Sequence, residues 1–399
     1  VKFKKGENYL LALFYFVDIL KPFGISIMIK EKDKIWMQRA LSLAEKGRGY
    51  VSPNPMVGAV IVSGDGNIIG EGYHQKYGKQ HAEVLAVESV RDKGLLEGAV
   101  VYVTLEPCAH HGKTPPCANM LAGLPIKRVV VAMRDPFPDV NGKGIQILKD
   151  QGITVDVGIL SEEARELNEA WLHYIDFSRP FVTLKIAQTA DGYVAAPNGD
   201  SKWITSKESR TLVHRWRSKM DAVMVGRNTA MMDNPSLTVR FTEGRQPRRV
   251  VIDGPFELPR NLNLFSDQYE EKTVIITHNK KKAETDADPM LKILQSNYFR
   301  GEVLTVDENN GHTDLRQSLN ALAGIGITTL LVEGGSELSS ALLSAGLVDR
   351  LQLFIAPKLL GGGIKSTHGF GINRMEDVVP LRKFSWTKVG PDILLTADL

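Results

Sequence analysis

The sequence predicts two α/β domains in tandem, each built on a sheet packed by helices, and three observations carry that reading. Short apolar runs alternate with amphipathic stretches along the chain, the pattern of strands joined by helices. The pattern breaks at Ser178-Arg179-Pro180, where the residue before a proline is driven to extended geometry, and restarts with Phe181-Val182-Thr183-Leu184-Lys185. Both cysteines, Cys108 and Cys117, precede the break, so their chemistry belongs to the first half alone. A length of 399 residues is long for one domain and comfortable for two. The expected division is 28–172 and 180–399, with 1–27 as an extension to which the sequence assigns no role.

Composition excludes several classes of function. Apolar residues make up 43% and charged residues 24%, as in ordinary globular protein, and a net charge of +3 asks for no nucleic-acid partner. The run Lys280-Lys281-Lys282 reads as a solvated loop. Lys2, Lys4 and Lys5 ahead of the apolar stretch Tyr9 to Val17 have the outline of a secretory leader. That stretch is shorter than the about 20 residues of a membrane span. Asp18, Lys21 and Pro22 stop the apolar run from extending, and no Ala-x-Ala-like cleavage site is evident. A cytoplasmic protein with no membrane partner is expected.

In the first half, Asp33 is placed to cap a helix with apolar stripe Trp36, Ala40, Leu43 and Ala44, which Gly47 and Gly49 end. Asn54, between two prolines, precedes a strand from Val57 to Val62, and Gly64-Asp65-Gly66 turns it into a second from Ile68 to Tyr73. His81 and Glu83 open a helix backed by Val84 to Val87. Ala99 to Thr104 is a buried strand delivering Pro107-Cys108, and Cys117 opens the next helix. Strand Arg128 to Met133, helix Gly144 to Gln151 and strand Thr154 to Val157 continue the alternation, which predicts a sheet with helices on both faces. A helix from Ser161 to Tyr174 closes the domain, and His74, just past a strand, reads as structural.

The chemistry concentrates between His81 and Cys117. One imidazole and two thiolates, His81, Cys108 and Cys117, supply three ligands to a tetrahedral zinc and leave its fourth position for water, as in catalytic sites. Glu83 is the carboxylate that can take a proton there and pass it to a leaving group. His-x-Glu followed by Pro-Cys and a second cysteine is the zinc-deaminase signature. A Cys108–Cys117 disulfide and a closed site completed by His110 or His111 are the plain alternatives; no disulfide framework accompanies the first, and the second leaves Glu83 without a role. If both thiols lie at helix N-termini, the backbone dipole favours their thiolates.

Nucleoside and tRNA deaminases space their cysteines Cys-x-x-Cys, whereas Ala109 to Pro116 separates these two. Glu106-Pro107-Cys108-Ala109-His110-His111-Gly112-Lys113-Thr114-Pro115-Pro116-Cys117 closely resembles the deaminase half of the bifunctional riboflavin-biosynthesis deaminase/reductase family. The resemblance implies a cytidine-deaminase-like α/β/α sandwich acting on a diaminopyrimidinone that carries ribose 5-phosphate. It places Asn54 against the substrate, although a turn-forming asparagine is the plain alternative. Lys113 and Thr114 suit the phosphate, because an ammonium, a hydroxyl and loop N–H groups can meet it beside the metal; a polar surface loop is their plain reading.

No cysteine follows Cys117, so the second half carries a different function. Leu330 to Val332 reads as a strand turning through Glu333-Gly334-Gly335-Ser336 into a helix around Leu338 to Leu343, where free N–H groups accept phosphate. Strand Ala222 to Val225 turns likewise through Gly226-Arg227-Asn228-Thr229 into a short helix. Strand Leu351 to Ala356 leads to Gly361-Gly362-Gly363 with no clear helix after it, and no Gly-x-Gly-x-x-Gly opens a Rossmann unit.

These turns, with Asp191-Gly192, Ser201-Lys202-Trp203-Ile204-Thr205, Asp233-Asn234-Pro235-Ser236-Leu237-Thr238-Val239-Arg240 and Ala356-Pro357-Lys358-Leu359-Leu360-Gly361, resemble the reductase half of the same family, a dihydrofolate reductase-like α/β domain. The resemblance then runs from Met28 to the C-terminus. It implies NADPH-dependent reduction of the deaminated product's ribosyl group to a ribityl chain. Motif matching puts Ala187, Trp203, Thr229, Asp233 and Gly335-Ser336-Glu337-Leu338 at the cofactor, and Ser201, Arg217, Leu237, Arg240 and Glu333 at the substrate. Arg217 and Arg240 can fork a phosphate, and Glu333 can accept from sugar hydroxyls. The plain alternatives are a Thr205/Glu208 capping box beside a packed Trp203 indole, and Arg217 on a solvated helix face. The family's reductase domains tend to pair, so a homodimer through the second domain is expected. The competing function is a deaminase of another pyrimidine or of a tRNA base with a non-catalytic nucleotide-binding second half.

Overall fold

Two glycines show how the first sheet takes helices on both faces. A Cβ at Gly58 would stand 2.0 Å from the Ala40 carbonyl oxygen, and one at Gly72 would stand 2.4 Å from that of Ala82. Gly72 pairs with Ala59, the neighbour of Gly58, and successive strand residues face opposite sides. The helices bearing Ala40 and Ala82 therefore cover opposite faces, each close enough to exclude a methyl group.

The computed structural model describes residues 25–109, 116–137, 140–279, 299–369 and 374–399, with side chains from residue 31. It divides into two compact units, Val1–Glu169 and Ala170–Leu399. In the first, helix α1 (Ile25–Ala44) leads to β1 (Gly58–Val62), β2 (Ile68–Tyr73), α2 (Ala82–Ser89), β3 (Val100–Leu105), α3 (Cys117–Ala122), β4 (Arg128–Met133), α4 (Lys143–Asp150), β5 (Thr154–Val157) and α5 (Ser161–Leu167). The strands form one sheet in the order β2-β1-β3-β4-β5. Strands β3, β4 and β5 run parallel, and β1 is antiparallel to β2 and β3. Ala59, Ile61, Val101, Val103, Val129 and Val131 pack on Ala82, Ala86, Leu121 and Leu148 from the helices.

Three expectations for this unit need correction. Asp33 does not cap a helix; it lies inside α1, which begins at Ile25. Its buried carboxylate accepts from Arg128 Nη1 and Nη2 at 2.8 and 2.7 Å and from Tyr102 Oη at 2.8 Å, so cross-strand partners rather than a helix end hold it. Met37, fully buried, takes the place in the stripe given to Trp36, which is half-buried. The closing helix is broken at Asn168, whose side chain bonds both the N–H and the carbonyl of Met56, at 2.8 and 2.9 Å.

In the second unit, helices of one turn aside, α6 (Glu169–Phe177) leads to β6 (Phe181–Thr189), β7 (Tyr193–Ala195), α7 (Lys207–Lys219), β8 (Ala222–Gly226), α8 (Arg227–Asp233), β9 (Arg248–Ile252), β10 (Thr273–Thr277), β11 (Glu302–Thr305), the small hairpin β12 (Glu308–Asn309) and β13 (His312–Thr313), α9 (Leu315–Gly324), β14 (Thr329–Val332), α10 (Ser336–Ser344), β15 (Arg350–Ala356), β16 (Ile364–Lys365), β17 (Arg382–Val389) and β18 (Asp392–Asp398). The main sheet has the order β11-β10-β9-β8-β14-β6-β15-β18-β17. It is parallel from β11 to β15, and β18 and β17 extend it antiparallel. One face packs Leu184, Met224, Val250, Ile276 and Val332 on Leu319, Leu322 and Leu342; the other packs Val225, Val251 and Ile275 on Leu264, Phe265 and Phe299.

Helix α7 is capped by Ser206, not by Thr205: its hydroxyl accepts from Ser209 N at 3.2 Å. The Asp392 carboxylate takes Ser206 N and Ser209 Oγ at 2.8 and 2.6 Å, so a contact from β18 sets the helix start one residue on. The sequence reading leaves β9, β10, β11, β17 and β18 unassigned. Arg249 shows why for β9, since this charged residue is 1% exposed, satisfied by Thr273, Asp267 and the carbonyls of Ser236 and Leu264. No helix among the described residues is long and apolar enough to cross a membrane. Lys280 to Lys282 lie outside the described residues.

Candidate active sites

Strand β3 carries the first site. Just beyond it the Glu106 carboxylate accepts the N–H groups of Gly142 and Ile145 at 3.1 and 3.2 Å, fastening the start of α4 beside the Pro107-Cys108 turn. A Cβ at Gly144 would stand 2.0 Å from the Pro107 carbonyl oxygen, so only glycine allows this approach. Cys117 is the first residue of α3, as expected, whereas Cys108 sits in the loop after β3, so the condition that both thiols lie at helix N-termini is met by Cys117 alone. The Cys117 N–H, at 3.3 Å, serves the Cys108 sulfur instead.

His81 stands at the N-cap of α2, its Nδ1 3.3 Å from Cys117 Sγ and 3.6 Å from Cys108 Sγ. All three candidate ligand atoms lie within 4.8 Å of one another. A tetrahedral zinc with ordinary bond lengths needs its ligand atoms about 3.5–3.8 Å apart, so the trio fits the ion with little movement. Both thiols are free, which removes the disulfide alternative. The hydrogen bond between the two sulfurs and the approach of His81 drive the Cys108 thiol down to about 4, while the same bond and burial push Cys117 up. Its bond to Cys108 raises His81 above the ordinary imidazole value. Burial, reinforced by the Cys108 charge, lifts Glu83 to about 7.

Asn54 is held rather than loose. Its Nδ2 lies 3.1 Å from His74 Nε2, and His74 Nδ1 lies 3.0 Å from the Gln80 carbonyl. A proton on Nδ1 serves that carbonyl, which leaves Nε2 to accept from Asn54. His74 is structural, as expected, with ring centroid 5.7 Å from that of His81. Lys113 and Thr114, with His110 and His111, lie outside the described residues.

The second site gathers where parallel strands β8, β14 and β6 end, the place where open parallel sheets bind ligands. Arg217 of α7 is buried, not on a solvated face; it forks the Glu333 carboxylate at 2.6 and 2.9 Å and donates to the Thr238 carbonyl at 2.9 Å. Burial alone would raise the Glu333 carboxyl, but the Arg217 charge outweighs it and holds Glu333 below the usual range. Lys185 of β6 faces the same carboxylate and is pushed down by burial against that attraction. The sequence reading did not single out Lys185, a lysine in the middle of an apolar strand. Leu237 is buried at φ +50°, and exposed Arg240 reaches Thr238 Oγ1 at 3.2 Å.

Among the residues matched to the cofactor, Thr229 Oγ1 accepts the Gly335 N–H at 3.2 Å and Asn228 donates to Glu337 at 3.1 Å, joining the turns after β8 and β14. A Cβ at Gly334 would crowd Leu338 at 3.0–3.2 Å, and one at Gly335 would stand 3.3 Å from Thr229 Oγ1, so these glycines keep a cradle open at the start of α10. A glycine turn leading into a helix N-terminus in this way fits the pyrophosphate of a dinucleotide. Ser336 Oγ lies 2.9 Å from His368 Nδ1. Ala187 is on β6, opposite Phe354. The Trp203 indole is 63% exposed with the Arg210 guanidinium 4.4 Å above it, so it is not the packed indole of the plain alternative. Ser201 is half-buried before α7 and Asp233 exposed at the end of α8; among the described residues no hydrogen bond joins them to either group.

The two units thus define a zinc-dependent deaminase joined to a reductase-type nucleotide-binding domain. Residues 30–133 match the cytidine and deoxycytidylate deaminase zinc-binding region and residues 180–395 the RibD C-terminal domain. The riboflavin biosynthesis protein RibD of Aquifex aeolicus is 44% identical over 92% of this chain and 99% of its own, and that of Escherichia coli 36% identical over 91% and 98%. Acinetobacter baumannii RibD superposes with a TM-score of 0.80 at 35% identity, covering 92% of this chain and 99% of its own. A Thermotoga maritima diaminohydroxyphosphoribosylaminopyrimidine deaminase/5-amino-6-(5-phosphoribosylamino)uracil reductase does so with 0.77 at 36% identity, with the same coverage of 92% and 99%. The chain belongs to the RibD family of bifunctional riboflavin-biosynthesis enzymes. A non-catalytic second half is not favoured, since relatives with both domains match along nearly the whole chain.

Proposed function

We propose that the first unit hydrolytically deaminates 2,5-diamino-6-(5-phosphoribosylamino)pyrimidin-4(3H)-one and that the second reduces the ribosyl group of the product to a ribityl chain with NADPH. The observation that carries the first half is the convergence of His81, Cys108 and Cys117 with buried Glu83 beside them. Zinc held by those three residues supplies Lewis acidity and a nucleophile at neutral pH. Glu83 takes the proton released as water adds to the amino-bearing ring carbon and delivers it to a ring nitrogen; it then takes the proton of the added hydroxyl as the carbonyl forms and the carbon–nitrogen bond breaks, and passes it to the departing amino group, which leaves as ammonia. Asn54, oriented by His74, hydrogen-bonds the substrate, and Lys113 and Thr114 meet its phosphate.

In the second unit NADPH supplies the hydride, delivered to the sugar carbon attached to nitrogen. The bond from that carbon to the ring oxygen breaks, and the oxygen needs a proton. Lys185, half-buried beside Glu333, is the group on hand to give it. Glu333, kept anionic by Arg217, accepts from sugar hydroxyls, while Arg240, with Ser201 and Leu237, holds the phosphate end. The cofactor lies along Ala187, Trp203, Thr229 and Asp233, with its pyrophosphate at Gly335 to Leu338.

Edge strand β17 exposes Phe384 and Trp386 at 62% and 57%, a surface that supports pairing with a second copy through this unit. Two free thiols support a cytoplasmic setting, and the near-neutral charge favours a small-molecule substrate over nucleic acid. The test supplies purified protein with the undeaminated pyrimidine and follows NADPH oxidation and ammonia release for the native chain, for Glu83→Ala and after zinc chelation. Oxidation lost on either treatment and restored by the deaminated intermediate establishes both activities and their order. Ammonia release without NADPH consumption refutes the second half.

A further inference from the structure

The segment 234–240 has neither helix nor strand, so its backbone polar groups must find partners elsewhere. Three side chains pin three consecutive residues. Arg217 takes the Thr238 carbonyl at 2.9 Å, Gln246 takes the Val239 N–H and carbonyl at 2.7 and 3.0 Å, and His214 Nδ1 accepts the Arg240 N–H at 2.9 Å. His214 and Arg217 lie one turn apart on α7, both buried, so one helix face clasps the loop at both ends. The His214 ring also packs on Phe241, centroids 4.4 Å apart, which fixes its plane.

We infer that His214 is a positioning residue for the reductase substrate: by accepting the Arg240 N–H it sets where the Arg240 guanidinium presents itself to the phosphate. The inference rests on the reading of Arg240 as a substrate contact. The bond requires an unprotonated Nδ1. Burial and the charges of Arg217 and Arg240, opposed by Glu333, push His214 down to about 4, so that lone pair is available at neutral pH. The effect of His214 falls on binding through Arg240, and among the described residues no hydrogen bond joins it to the Gly335 turn assigned to the cofactor.

The experiment is steady-state reduction of the deaminated pyrimidine by the full chain, with NADPH affinity measured separately by fluorescence. His214→Leu removes the acceptor and raises KM for the pyrimidine about tenfold, the loss of one hydrogen bond, while kcat and NADPH affinity hold. His214→Asn, whose amide oxygen can occupy the Nδ1 position, retains a near-native KM. His214→Gln, whose oxygen reaches toward Nε2 instead, behaves like leucine, and this pair decides the matter even if the leucine variant fails to fold. Equal KM for the asparagine and glutamine variants overturns the inference, as does a loss of kcat and NADPH affinity in step with KM. Arg240→Ala separates the two readings: if it leaves KM unchanged, the assignment of Arg240 to the substrate falls and takes the clasp with it. If Arg240→Ala raises KM and His214→Leu does not, Arg240 stands and the clasp alone is refuted.

Discussion

Glu83 is buried and Glu333 half-buried, yet the two carboxylates are driven in opposite directions. Burial, reinforced by the Cys108 charge, lifts Glu83 to about 7, where it can both take and give a proton. Glu333 faces Arg217 and Lys185, which overcome the effect of burial and keep it charged. Glu83→Gln is expected to lower deamination at least about 100-fold while zinc stays bound, checked by metal content beside ammonia release. Glu333→Ala leaves Arg217 buried without its anion and should cost about 3–5 kcal/mol in the unfolding of the second unit, read by denaturant titration. His214 adds a pH dependence. Its folded value, about 4, lies below the ordinary 6.5, so the unfolded chain binds a proton that the folded chain refuses. The stabilisation is full above pH 6.5 and disappears as pH falls toward about 4, and His214→Asn should flatten the thermal-stability profile over that window.

At the scale of elements, side chains that tie one element to another decide where elements begin and end. Glu106 fastens the start of α4 to the turn carrying Cys108. Glu106→Ala should free that turn and weaken zinc about 10–100-fold, measured by competition with a chelator, because groups that orient ligands contribute on that scale. Asp33, expected as a cap, lies inside α1 with its carboxylate held by Arg128 and Tyr102, and Asn168, at the break in the closing helix, is bonded to Met56. Ser206 caps α7 in place of Thr205 because Asp392 of β18 holds it. Strands β1, β2, β4 and β5 were legible, since apolar runs bounded by turn residues follow from the chain alone.

Across the whole molecule, each unit has its own core and its own set of parallel strands, with the candidate chemistry at or just past their C-terminal ends: Cys108 after β3, the turn opened by Gly226 at the end of β8, Glu333 after β14. Separate cores imply separable activities. Chelating zinc from the full chain should abolish ammonia release and leave reduction of the deaminated intermediate unchanged within about twofold, followed as NADPH oxidation. If both rates fall together, the units depend on each other in a way their separate cores do not explain.

The sequence by itself pointed to the candidate ligand trio and Glu83, because metal chemistry restricts residue type and the chain offers two cysteines. It also determined the two-domain α/β plan, because periodicity and a proline break are local properties. Only the tertiary structure decided which charged side chains are buried and with whom. Arg217 with Glu333, Lys185 beside them, His214 under Arg240 and Arg249 inside the sheet are pairings between residues far apart in the chain. A buried charge is tolerated only with its partner, and the partner is brought by the fold.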